Sequence, residues 1–231
     1  MSPLNPLNPA TGDVPMPEDQ REIEAALRAG PITYRLFPYF EWRYGERGRK
    51  FTQSDSAWLA WIVRHQQQYV DEQILWLRSV LSNRGMPGWI LEIHLALLYK
   101  QLVRAIPEKA AAYEKLQHAS SVLRNQRREI ITDETWNDLA SDFVSALGTK
   151  PTWLLRGVGR LLVASVADER LGIKNAVGRL ECWLSDVANL GKIDEMRDTL
   201  SIKHRQLLDS QEFGERWQKA IQATITKARE V

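Results

Sequence analysis

Cysteine is almost absent from this 231-residue chain: Cys182 stands alone. One thiol can close no internal disulfide and build no thiolate zinc site. Its scarcity favours a reducing compartment. The first residues also lack the charged and apolar regions of a secretion signal, so a cytoplasmic location is expected. Long apolar runs are missing as well. The densest stretch, Trp89 to Tyr99, includes Glu92 and His94 and falls well short of the roughly 18 residues that cross a bilayer, so no membrane partner is expected. Charge of one sign is missing too. Lys and Arg number 31 against 29 Asp and Glu, for a net charge of +2. Neither side of Lys150 forms a basic arm, so nucleic acid is not the expected partner. Strand signals are absent: there is no period-2 alternation and no Asn-Gly hairpin.

What remains is helical. Residues 1–17 hold five of the ten prolines, with a PLNPLNP tandem, and read as a flexible or extended tail. A short helix is expected from Glu18 to Arg28, closed by Gly30-Pro31. Thr52 to Ser56 supply caps for a long helix reaching about Arg84. Its apolar stripe of Leu59, Val63, Val70, Ile74, Leu77 and Leu81 recurs at helical spacing. The turn Arg84-Gly85-Met86-Pro87-Gly88 ends it. Trp89 to Ala105 is the most apolar helix, Pro107 opens another to about Ile131, and Thr132-Asp133-Glu134 caps one ending at Gly148. Four further helices are expected: Thr149 to Glu169, Ile173 to Val187, Ile193 to Leu207, and one carrying Phe213, Trp217, Ile221 and Ile225. The fold class is all-α, a multi-helix bundle of about eight helices, possibly two stacked bundles. Residues 18–148 and 151–231 are the candidate domains, joined at Gly148 to Pro151.

The most unusual segment is Phe37 to Phe51, FPYFEWRYGERGRKF, with six aromatic residues, four basic ones and two glycines. Interleaved rings and cations suit a partner surface or an anionic ligand, because a guanidinium's planar fork matches carboxylate and phosphate. Trp42, Arg43, Arg47 and Arg49 are the candidates there. The competing reading has the aromatics cap one end of the bundle while the basic residues are solvated or paired with Glu41 and Glu46.

Histidine is scarce, and its placement does not suggest a metal site. Folding the chain about Gly85 puts His94 level with Trp76, eleven residues from His65, or about 16 Å at 1.5 Å per residue. Paired Glu-x-x-His motifs of a di-iron bundle are absent. His94 flanks Ile90, Leu97 and Leu98 and reads as a hydrogen-bonded core histidine. His65 and His94 are the only candidate axial ligands if a tetrapyrrole were held by the Trp-rich hairpin of Trp58, Trp61, Trp76 and Trp89, which itself reads first as core. Cys182 projects off its apolar stripe with no activating neighbour in sequence. No Gly-x-Ser-x-Gly elbow occurs. Gly157 and Gly159 sit in a helical pattern without a preceding strand, pointing to close helix packing rather than a dinucleotide site.

No catalytic residue and no metal ligand is assigned, and no cofactor is identified. The expected function is a non-enzymatic interaction or scaffold protein with a protein partner or self-association, using the aromatic–basic segment or a leftover apolar helix face. The alternative is a binder of an apolar or tetrapyrrole-like anionic ligand, and a helical metalloenzyme is the third reading.

Overall fold

The computed structural model describes residues 5–148, 155–185, 206 and 210–231. Among the described residues there are nine α-helices and no strand: α1 (Gln20–Leu36), α2 (Pro38–Ile62), α3 (Gln67–Ser82), α4 (Gly88–Ala105), α5 (Ala110–Ile130), α6 (Asp133–Ala146), α7 (Val158–Arg170), α8 (Ala176–Leu184) and α9 (Gln211–Glu230). The all-α multi-helix fold expected from periodicity is present. No described helix is long and apolar enough to cross a membrane. The helix expected over Ile193 to Leu207 and the linker at 149–151 lie outside the described residues.

The chain divides into two compact units. One comprises residues 1–77 and 89–124, the other residues 78–88 and 125–231. In the first unit, residues 5–14 close into a hydrogen-bonded loop where an extended tail was expected. The Asn5 amide donates to the Gly12 carbonyl at 2.7 Å, and the Asn8 side chain caps a single 3-10 turn at Pro9–Thr11. Short asparagine side chains satisfy backbone groups locally, which prolines otherwise leave without donors.

Helix α1 runs through Gly30-Pro31 to Leu36 instead of stopping at Arg28. Asp19 caps it by accepting from the Arg21 amide at 3.0 Å. Pro31 forfeits one backbone bond, yet the helix continues because its buried face (Ala25, Ala26, Ala29, Gly30, Thr33) packs closely on α2. The aromatic–basic segment is helical as well, as the first half of α2. Gly45 interrupts it with φ 50° and ψ −141°, a conformation that favours glycine.

The long helix expected from Thr52 to Arg84 is broken at residues 63–66, with no proline or glycine at the break. The reason lies fifty residues away. The Lys115 ammonium donates to the Val63 carbonyl at 2.8 Å and to the His65 carbonyl at 2.5 Å. A cation at orphan C-terminal carbonyls ends α2 favourably, and α3 restarts at Gln67. Beside that turn, buried Glu22 accepts from Arg64 at 3.0 Å and from the Tyr113 hydroxyl at 2.7 Å, so its charge is paired.

In the second unit, α6 packs on α7, α9 covers both, and α8 lies on α7. Trp217 sits fully buried between Phe143 and Phe213, with ring centroids at 5.6 and 6.0 Å. Its indole N–H donates to the Leu184 carbonyl at 2.7 Å. Thr132 caps α6 through the Thr135 amide, as its sequence suggests. Gly159 is the close contact expected, since an added Cβ would lie 3.0 Å from Phe143 Cβ. Gly157 is not inside a helix: it precedes α7 with φ 81°, a left-handed turn. Buried Asp168 accepts from the Gly88 amide and the Ser82 hydroxyl, both at 2.7 Å, and so ties down the Gly85 turn. Burial raises its carboxyl pKa above the usual range.

Candidate functional site

The aromatic–basic segment satisfies most of its own charges. Arg43 donates to the Tyr39 hydroxyl and lies over the rings of Tyr39 and Tyr44, at 5.9 and 5.2 Å. Arg47, four residues before Phe51, lies 5.8 Å over that ring. Lys50 pairs with Glu46 at 3.1 Å, one helical turn apart. Arg49 reaches across the Gly45 kink to Glu41, with Nε on Oε2 at 3.2 Å and Nη2 on Oε1. The rings of Phe37, Tyr39 and Phe40 are buried, as a bundle cap requires. Burial of Tyr39 pushes its phenol pKa well above the usual value. The side chain of Trp42 lies outside what the structure describes.

Arg49 and Glu41 border a cleft of about 310 Å³ between α1 and α2. Gly30 and Pro31 form part of its wall, where an added Cβ on Gly30 would touch the Thr52 methyl at 3.4 Å. The Tyr34 hydroxyl meets the Thr52 hydroxyl at 3.0 Å inside it. Burial pushes the Tyr34 phenol up to about 12, so it stays protonated at neutral pH. Arg35 at the rim is exposed and makes no ion pair among the described residues. Arg49 had a sequence signal. Tyr34 and Arg35 did not, because the sequence pattern closes its helix at Gly30-Pro31, short of both residues.

His94 is buried at 6% exposure, and both ring nitrogens are engaged. Thr33 Oγ1 lies 2.8 Å from Nδ1 and Ser56 Oγ lies 2.9 Å from Nε2. Each hydroxyl also faces a carbonyl of its own helix: Ser56 to Thr52 at 2.6 Å, Thr33 to Ala29 at 3.2 Å. A hydroxyl has one proton and a neutral imidazole has one N–H. The shorter Ser56 contact keeps that proton on the carbonyl, so Nε2–H donates to Ser56 and Thr33 donates to Nδ1. Burial lowers the His94 pKa to about 4, which keeps the ring neutral. With both nitrogens engaged, His94 joins α1, α2 and α4.

His65 lies in the turn between α2 and α3, edge-on to Trp61 and tilted against Tyr69, at centroid distances of 5.0 and 4.7 Å. Its Nε2 is buried with no hydrogen-bond partner among the described residues. The same face carries Trp76, 57% exposed, in edge contact with Trp58 at 6.3 Å, and Tyr69, 40% exposed. The tryptophan cluster expected as core is therefore partly surface. Tyr69 and Trp76, seven residues apart, share one exposed face of α3, and the break at 63–66 lets Trp76 fold back against Trp58, eighteen residues earlier. Trp89 is separate from this ladder and packs edge-on against Phe37 at 4.9 Å. Cys182 is exposed. Among the described residues no three His, Cys, Asp or Glu side chains converge as a metal site would require.

Two surfaces thus stand out on the first unit: the cleft between α1 and α2, and the aromatic ladder of Trp58, Trp61, His65, Tyr69 and Trp76. Comparison with known proteins adds no name to either, since no protein-family model, curated protein or solved structure matches this chain.

Proposed function

We propose that this chain is a non-enzymatic interaction protein that docks a protein surface against the aromatic ladder of α2 and α3. The observation that carries the reading is the 57% exposure of Trp76, joined to Trp58 and set on the same face as Tyr69. A large ring left in water forfeits apolar burial, and clustered Trp and Tyr are the residues that concentrate binding energy at protein interfaces. The polar groups of α3 also suit the rim of a contact face: exposed Gln68, next to Tyr69 in sequence, donates to Glu72 at 3.0 Å.

A second copy of the chain is the occupant to test first, because an isologous contact needs only one self-complementary patch. Sedimentation velocity across a concentration series should show a reversible dimer. Trp76→Ser should weaken it by at least about thirty-fold, the equivalent of roughly 2 kcal/mol at an anchoring tryptophan. A wild type that stays monomeric at every concentration rules out self-association through this face.

A further inference from the structure

The cleft between α1 and α2 is independent of the aromatic ladder, and its chemistry is more particular. We propose that it binds a small organic anion, a carboxylate or phosphate carried on a ring, and that Glu41 fills the anion position in the empty protein.

Size sets the first limit. A volume of about 310 Å³ holds on the order of ten waters at roughly 30 Å³ each, so the ligand has about ten to fifteen non-hydrogen atoms. Lining chemistry sets the second. Pro31 and the Tyr34 ring offer an apolar wall, while the Tyr34 and Thr52 hydroxyls meet at 3.0 Å and Gln53 adds an amide. That combination of one apolar wall and a few convergent polar groups is the usual make-up of a small-molecule site.

Charge sets the third. Two guanidinium groups border the cleft against one carboxylate. Arg35 has no ion pair among the described residues, and Arg49 holds Glu41 through both carboxylate oxygens. Two parallel bonds from one fork are the geometry a ligand carboxylate or phosphate would adopt. Glu41 thus marks where the ligand's anion sits. The pair is a weak one to displace, because Arg49 is 55% exposed and solvent screens it. Glu41 and Arg49 also lie on opposite sides of Gly45, whose non-helical backbone joins the two halves of α2, so the carboxylate can leave without unwinding a helical turn. An organic cation would find its only carboxylate already taken.

The test is an amide-resolved NMR titration of the full chain with benzoate, phenyl phosphate and inorganic phosphate, using benzamide as the neutral control. Saturating shifts at Gly30, Tyr34 and Gln53 are expected with one of the ring anions, at a Kd on the order of 1 mM for a ligand this small. The tighter of benzoate and phenyl phosphate identifies the anion. Weaker binding of inorganic phosphate shows that the ring contributes. Arg35→Gln should weaken binding by about ten-fold, and Glu41→Gln should tighten it several-fold by removing the carboxylate that competes for Arg49. Both side chains lie at the rim, so the spectra themselves report that the variants remain folded. Benzamide binding as well as benzoate, no localised shift with either ring anion, or a Glu41→Gln variant that binds no more tightly would each overturn the proposal.

Discussion

Replacing His94 by leucine should exchange stability at neutral pH for stability in acid, and the structure sets the size of both effects. At pH 7 the substitution removes two hydrogen bonds, to Thr33 and Ser56. It strands neither hydroxyl, because each keeps a carbonyl of its own helix within reach. The cost is then about 2 kcal/mol, at roughly 1 kcal/mol net per bond. Acid reverses the balance. The fold holds the neutral ring with a pKa of about 4, against an ordinary value of 6.5, so across that window the folded state binds fewer protons than the unfolded chain. Stability carried by His94 is fully present above pH 6.5 and drains away as pH falls towards 4. Linkage puts the loss at about 2 kcal/mol by pH 5 and about 3 kcal/mol by pH 4. His94→Leu escapes that loss. Urea unfolding of both proteins, followed by tryptophan fluorescence at pH 7, 5 and 4, should show curves that cross near pH 5. All other titrating groups cancel in the difference. A constant gap from pH 7 to pH 4 would refute a His94 held neutral by burial.

Two further substitutions probe what shapes the first unit. Gly48→Ala should destabilise it by about 1–3 kcal/mol, since the new Cβ would lie 2.4 Å from Tyr44 Cβ, an atom fixed to backbone that cannot swing aside; a thermal midpoint equal to wild type contradicts this. Lys115→Met should cost about 1–2 kcal/mol by uncapping the Val63 and His65 carbonyls, with faster hydrogen exchange confined to residues near the break between α2 and α3. Unchanged protection there would remove Lys115 as the cause of the break.

Local chemistry made several features readable in advance. Thr132 caps α6 with its own side chain, Pro107 opens the turn into α5, and the Phe213–Ile225 stripe defines α9, because caps and periodicity act over one or two helical turns. Gly159 and His94 were also legible, one as a site of close packing and the other as a core histidine, since an isolated small or polar residue on an apolar stripe has few other uses. Glu46 was legible as a partner for a basic neighbour, but its one-turn spacing from Lys50 comes from a helix that the sequence pattern does not place there.

The remainder depended on residues far apart in the chain. A cation fifty positions away bonds the carbonyls where α2 ends, at the break that lets Trp76 meet Trp58, and no rule of local spacing carries that information. Helix α1 runs through Pro31 because a packed face on α2 outweighs one lost backbone bond. Arg35 and Tyr34 line a cleft only because α1 continues far enough to reach α2. Sequence alone determined the helical class, the Thr132 cap and the identity of the aromatic–basic segment, since those are set by neighbours a few residues apart, whereas Thr52 to Ser56, expected as caps, lie inside α2. Tertiary structure decided where the long helix breaks, which tryptophan meets water and which arginine makes no ion pair among the described residues, because each depends on contacts that exist only once distant helices have packed.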